Sequence, residues 1–283
     1  MTDAQTGFRI GVDIGGTFTD VVMLDPRSGR LANEKVLTTP DDPAEGVLNG
    51  VKRILETEGT APGDVQSIIH GTTLVANALI ERKGVRTALV TTRGFRDVLE
   101  IGRELRYSIY DLFIDMPEPL VPRVLRFEVD ERVRNDGTVL TSPDPEAVRA
   151  LAHDLRKAEV EAVAIVFLHS FRNDINERRV KDILAGELPG ITICTSFEVM
   201  PQIGEYERTS TAVANAFVQP IFRNYVQRLV QEMGRLKLPQ DLFLMLSDGG
   251  TVRHETAVQY PIRLVQSGPA GGAQAASVFG RLA

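Results

Sequence analysis

Apolar and polar residues alternate over residues 8–13, and strand-like apolar segments follow over 18–24 and 31–37, predicting three short strands. The turns between them, Gly15-Gly16 and Pro26-Arg27-Ser28-Gly29, are short enough to make the strands antiparallel neighbours. The period then changes. Asp42 as a cap, Pro43 at the first helical position, Glu45 in a capping-box pattern and Ala44, Val47, Leu48, Val51, Ile54 and Leu55 on one face predict a helix that Gly59 and Pro62 end. Strand 67–70, helix 74–83, strand 85–91 and a short helix from Phe95 follow. Residues 102–121 have no strong period and carry Tyr107, Tyr110 and Phe113, a segment suited to wrapping a core or making an interface. Strands 124–133 and 138–140 read as a hairpin around Asn135-Asp136-Gly137, whose Asp-Gly pair favours positive dihedrals.

Alternation resumes with helix 145–157, strand 162–167, helix 175–186 and strand 191–195, the pattern of an α/β layer with parallel strands. A boundary is expected around 196–204. Phe217, Ile221, Tyr225, Leu229 and Met233 recur every four residues on a long helix that Pro220 should kink. Strand 242–246 comes next. Gly268-Pro269-Ala270-Gly271-Gly272 then reads as a glycine loop opening a small-residue helix over 273–283, with no strand after it, the expectation being a truncated piece of a longer polypeptide.

Composition narrows the classes without choosing among them. The 283 residues are 43% hydrophobic and 25% charged, enough for two modest cores. A net charge of -6 with no basic block argues against nucleic acid and anionic membrane surfaces. The polar start and an apolar run no longer than 162–168 predict a soluble, cytoplasmic protein. One cysteine, Cys194, lies in an apolar run and is expected to be a buried, inert thiol.

Candidate chemistry is concentrated in Gly11-Val12-Asp13-Ile14-Gly15-Gly16-Thr17-Phe18-Thr19-Asp20. An apolar strand delivers Asp13 to its end, two glycines permit a tight turn, and backbone N–H groups with the hydroxyls of Thr17 and Thr19 can receive phosphate oxygens. Asp13 is then placed to hold Mg²⁺ through water. A plain hairpin needs neither the acid nor the threonines. His70, ahead of Thr72 and Thr73 at a helix start, has two readings: a substrate or phosphate contact, or a strand-end histidine beside a capping threonine. Arg93, Arg96, Arg103 and Arg106 suit a carboxylate or phosphate, or a solvated surface. Glu205, Glu207 and Arg208 open the long helix and can simply complement its dipole, and His169 lacks a partner at any obvious spacing. Ser247-Asp248-Gly249-Gly250-Thr251 is equally a plain turn or a loop facing a cleft.

The strand order with Asp13-Ile14-Gly15-Gly16-Thr17 resembles the first phosphate motif of the actin, sugar-kinase and heat-shock-chaperone ATPase superfamily, which implies a ribonuclease-H-like lobe with an α/β insertion. Together with His70-Gly71-Thr72-Thr73 through Asn77, Thr91 to Ile101, Glu205 to Ser210 and Ser267 to Gly272, it resembles the hydantoinase A and oxoprolinase family. That resemblance implies an N-terminal region over 1–196 and the start of the hydantoinase A core over 197–283, the second lobe being incomplete. It implies ATP and Mg²⁺ as cofactors, with Asp13, Gly15, Gly16, Thr17, Thr19, Asp20, Gly268, Gly271 and Gly272 at the nucleotide and His70, Thr72, Thr73 and Arg103 as substrate candidates. The implied reaction is ATP-dependent opening of a cyclic amide such as a hydantoin, 5-oxoproline or a lactam, with a B-type subunit and an oligomeric assembly. Ketone carboxylase subunits share the family, and a non-catalytic assembly role is a third possibility.

Overall fold

The computed structural model describes residues 7–39, 42–105 and 108–282; Arg106 and Tyr107 lie outside them. The chain forms two compact units, one from residues 1–81 with 221–283 and one from 82–220. Both are α/β, as expected.

In the first unit β1 (Phe8–Ile14), β2 (Phe18–Leu24) and β3 (Leu31–Leu37) form an antiparallel meander. Helix α1 (Pro43–Thr57) leads to β4 (Val65–Thr72), which pairs parallel to β1, and α2 spans Leu74–Ile80. Alternation decides which side is core: Ile10, Val12, Ile14, Val21 and Met23 are buried, while Arg9, Gly11 and Asp13 point the other way. Helix α1 lies on the buried side so closely that a Cβ at Gly50 would come within 2.7 Å of Val21 Cγ2. Asp42 is its cap residue and Pro43 its first, but the Asp42 side chain makes no capping bond, so the expected capping box does not form.

The second unit holds a parallel sheet whose central strands are buried throughout, as expected where both faces are covered. Here β5 (Thr87–Thr92), the short helix α3 (Val98–Ile101) and β6 (Arg126–Val129) come first. The expected strand 124–133 is broken: its front part joins the sheet parallel to β5, and only β7 (Arg132–Val133) pairs with β8 (Val139–Thr141) around Gly137 at φ +89°. The break follows from Glu131, which is buried and accepts from Thr92 Oγ1 and, at 2.8 Å, from Asn176 Nδ2. Helix α4 (Pro145–Lys157), β9 (Ala162–Val166), α5 (Ile175–Glu187), β10 (Thr192–Thr195) and α6 (Ser196–Val199) complete a sheet of order β10-β9-β5-β6. Among the described residues of 102–121, Leu105, Ile109, Tyr110, Leu112 and Phe113 are exposed and do not wrap this core, whereas Val121 at the end of the segment is buried in it.

Helix α7 (Glu205–Arg235) is continuous through Pro220, where one unit gives way to the other. Strand β11 (Leu242–Met245) then joins β4 in parallel, β12 (Thr251–Arg253) turns back on it, and α8 (His254–Gln259) and α9 (Ser267–Leu282) follow. The sheet order β12-β11-β4-β1-β2-β3, with three antiparallel strands continued by two parallel ones, is the ribonuclease-H-like arrangement. The glycines from 268 to 272 lie inside α9, not in a loop before it. Among the described residues no helix is long and apolar enough to cross a membrane.

Candidate functional site

The β1–β2 ladder sets Asp13 directly opposite Asp20 and Ile14 opposite Thr19, leaving Gly15, Gly16 and Thr17 as the connection. Cross-strand partners share a face, so two carboxylates stand side by side. The Asp13 carboxyl is held above the usual aspartate range, first by desolvation against the protein and then by the charge on Asp20. Asp20 is itself bridged at 2.8 Å by Lys35, its neighbour on β3. On the other side β4 presents Gly71 opposite Asp13, and a Cβ there would approach Asp13 Oδ1 to 3.0 Å. A glycine at 71 thus leaves the Asp13 carboxylate uncrowded.

The connection is braced from below. Gly15 N–H donates to Phe18 O at 3.0 Å, Thr38 N–H to Thr17 O at 3.0 Å and Thr38 Oγ1 to Gly15 O at 2.9 Å. Among the described residues the N–H groups of Gly16 and Thr17 have no protein acceptor. Neither Gly15 nor Gly16 has a positive φ, so the tight-turn reason for the glycines does not hold. Space is the better reason: a Cβ at Gly16 meets nothing within 4 Å and would project into the open region above the turn, while one at Gly15 would press on Phe18 O at 3.2 Å. Thr17 is exposed there. Thr19 is fully buried and its hydroxyl shares a 3.0 Å hydrogen bond with Thr38 Oγ1, so it braces the turn and faces away from any anion above it.

Helix α9 begins at the same sheet edge. Ser267 Oγ donates to Thr72 O at 3.1 Å, and Thr72 is the β4 partner of Ile14. This ties the first turn of a sixteen-residue helix to the strand beside the hairpin. Gly268 and Gly272 have open space where a Cβ would be, whereas Gly271 packs on Met245 Sδ. First-turn N–H groups lack intrahelical acceptors and carry the positive end of the helix dipole.

The substrate candidates are scattered. His70 is fully buried, with Nε2 2.6 Å from Tyr225 Oη and Nδ1 3.4 Å from Val12 O, and burial depresses its pKa to about 4. A neutral imidazole with no exposed atom offers nothing to a ligand. Thr72 Oγ1 accepts from Leu74 N–H and Thr73 Oγ1 donates to Ile14 O, so both hydroxyls hold the chain at the end of β4. Arg103 pairs with Glu207, and Arg93 and Arg96 pair with Asp130 and Glu128. The segment 247–251 is a plain turn: Gly249 has φ +84° and Gly250 N–H donates to Asp248 Oδ1. Sequence reasoning missed Gly71 and Ser267, whose parts depend on neighbours distant in the chain.

The hydantoinase/oxoprolinase N-terminal region family matches residues 9–188, and the hydantoinase/oxoprolinase family matches residues 208–283. The chain is 37% identical to an uncharacterized protein of Methanocaldococcus jannaschii, over 98% of this chain and 40% of that one. It is 35% identical to the alpha subunit of the Pseudomonas jessenii caprolactamase, over 95% of this chain and 39% of the relative. The crystal structure of that ATP-dependent caprolactamase superposes with a TM-score of 0.86 over 96% of this chain and 41% of its own. A nucleotide-free acetone carboxylase, from work on ATP-dependent acetone carboxylation, superposes with a TM-score of 0.87 at 29% identity, over 97% of this chain and 40% of its own. The chain thus spans about 40% of the length of these relatives.

Proposed function

Because the chain belongs to the hydantoinase/oxoprolinase family, we propose that its β1–β2 hairpin holds the phosphates of Mg·ATP in an enzyme that opens a cyclic amide. One observation carries the reading: Asp13 and Asp20 stand opposed beside a turn whose Gly16 and Thr17 N–H groups are unclaimed among the described residues. Two like charges so placed are relieved by a divalent cation, and a hydrated magnesium ion takes one or two carboxylates along with phosphate oxygens. Asp13 is the metal-facing group. Gly16, Thr17 and the first turn of α9, with Gly268 leading, receive phosphate oxygens. Magnesium would neutralise developing phosphate charge, while these donors position it.

In this proposal phosphoryl transfer activates a hydantoin, 5-oxoproline or lactam amide, and ring opening follows. The similarity to the caprolactamase alpha subunit favours it, and favours a partner subunit, which this reading takes to be of B type in a cytoplasmic enzyme. A second reading, an ATP-dependent ketone carboxylase subunit, draws on the superposition with acetone carboxylase. Assaying the full-length polypeptide with its partner on cyclic amides, and on ketones with bicarbonate, separates the two.

The phosphate assignment is tested by Asp13→Asn, which keeps size and turn preference and removes the charge. Turnover of ATP should fall by roughly two or more orders of magnitude, because phosphoryl transfer rests on positioning and electrostatics. The thermal midpoint should hold. Near-normal turnover would remove Asp13 from the site, and unfolding would make it a structural residue.

A further inference from the structure

Thr38 follows β3 directly and meets the β1–β2 connection twice. Its N–H donates to Thr17 O at 3.0 Å and its hydroxyl donates to Gly15 O at 2.9 Å. The segment that carries it is fastened on its other side to helix α1. Thr39, the next residue, accepts from Gly46 N–H at 2.9 Å through its hydroxyl, and its carbonyl accepts from Asp42 N–H at 3.1 Å. Thr38 is thus a fixed point between the first helix and the turn above it.

The proton count sets the direction of the hydrogen bonds. A threonine hydroxyl has one proton and can accept as well as donate, whereas a carbonyl only accepts. Thr38 gives its proton to Gly15 O, so in the 3.0 Å contact with Thr19 its oxygen is the acceptor and the buried Thr19 hydroxyl the donor. The donors therefore run in series from Thr19 to Thr38 to Gly15 O, and each bond polarises the next.

This series fixes where an unclaimed N–H points. The described peptide bonds include no cis bond, and in a planar trans peptide the C=O and the following N–H point in opposite directions. With Gly15 C=O turned down to Thr38, Gly16 N–H turns up, toward the region where a Cβ at Gly16 meets nothing within 4 Å. Glycines on both sides give that peptide plane unusual freedom to rotate, since no Cβ resists it. In a hydrogen-bonded turn Gly15 O would accept from the N–H three residues on, but here it takes the Thr38 hydroxyl instead. Holding the plane falls to that hydroxyl.

We propose that Thr38 is a positioning residue of the phosphate turn, its hydroxyl holding the Gly15–Gly16 peptide with Gly16 N–H turned outward to an anionic oxygen. A donor fixed in this way needs no reorganisation when charge arrives. That the oxygen belongs to a phosphate rests on the function proposed above; the orientation of the peptide does not.

The test is an NMR titration of the 283-residue chain, nitrogen-15-labelled at glycine, with Mg·ATP, followed at the Gly16 amide that Gly16→Ala identifies by its loss. Thr38→Val keeps the branched shape and the backbone N–H and removes only the hydroxyl. It should displace the Gly16 resonance before ligand is added and bind Mg·ATP roughly tenfold or more weakly, the loss of one hydrogen bond to a charged oxygen. Thr38→Ser should restore both. Thr38→Val also strands the buried Thr19 hydroxyl, so its melting temperature should fall. Adding Thr19→Val removes the stranded group and should recover most of the melting temperature without recovering affinity. Affinity that returns with the melting temperature would make Thr38 merely structural and overturn the proposal. A parent chain whose Gly16 does not respond to millimolar Mg·ATP would overturn the phosphate assignment and this proposal together, whereas a responsive parent with an equally responsive Thr38→Val would overturn this proposal alone.

Discussion

His70 is the residue whose environment most changes its chemistry. On a strand end before a helix it has the sequence context of a ligand contact, but β4 turns it inward against Tyr225. Burial holds the ring neutral, with a pKa lowered from 6.5 to about 4. A depressed value makes the contribution to stability full above pH 6.5 and lost progressively as the pH falls toward 4, by about 3 kcal/mol in all. Denaturant midpoints measured between pH 7.5 and 4 should show this slope, and His70→Gln should lack its share whatever its absolute stability; an unchanged slope would mean the ring protonates freely in the folded state. Cys194 follows the same physics in a case the sequence did reveal: an apolar run buries it, and its thiol is pushed up to about 12. The difference is that an apolar run announces burial, whereas a polar residue at a strand end takes its side from the register.

Among the elements, helix α1 was plain from its periodicity, and its buried face is the one the pattern named: Ala44, Val47, Leu48, Val51, Ile54 and Leu55. How near it comes to the sheet was not. Gly46 and Gly50 are the glycines on that face, and Gly50 lets Val21 within van der Waals distance of the helix backbone. Gly50→Ala should therefore destabilise by roughly 1–3 kcal/mol, although alanine is the better helix former, because overpacking outweighs propensity. Equilibrium unfolding would check it, and a gain in stability would show that the helix can shift outward freely. The strand 124–133 was misread for a related reason. Apolar residues recur along it from Val124 to Val133, but Asp130-Glu131-Arg132 interrupt them, and the buried Glu131, held by Thr92 and Asn176, divides it between two sheets. Likewise the glycines of 268–272 advertise a loop by local preference, but they are helical in α9, where Ser267 anchors the first turn to β4.

At the scale of the molecule, one unit is contiguous and the other is not. Residues 82–220 contain all four strands of their sheet, whereas the 1–81 segment lacks β11 and the part of α7 that brings Tyr225 to His70. Excised 82–220 should fold cooperatively, with native-like circular dichroism and a sharp denaturant transition, while excised 1–81 should not. A folded 1–81 would show that the long-range strand is dispensable. What the sequence determined alone was the type and order of most elements, the α/β class and the Asp13–Asp20 hairpin, because periodicity and turn chemistry act over a few residues. Tertiary structure decided which side each polar group faces: Thr19 inward to Thr38, His70 inward to Tyr225, Asp13 outward beside Asp20, and His169 strained at a strand end with one nitrogen unsatisfied. Those outcomes depend on strand register and on partners as much as 155 residues away, and such pairings form only when distant segments share one core.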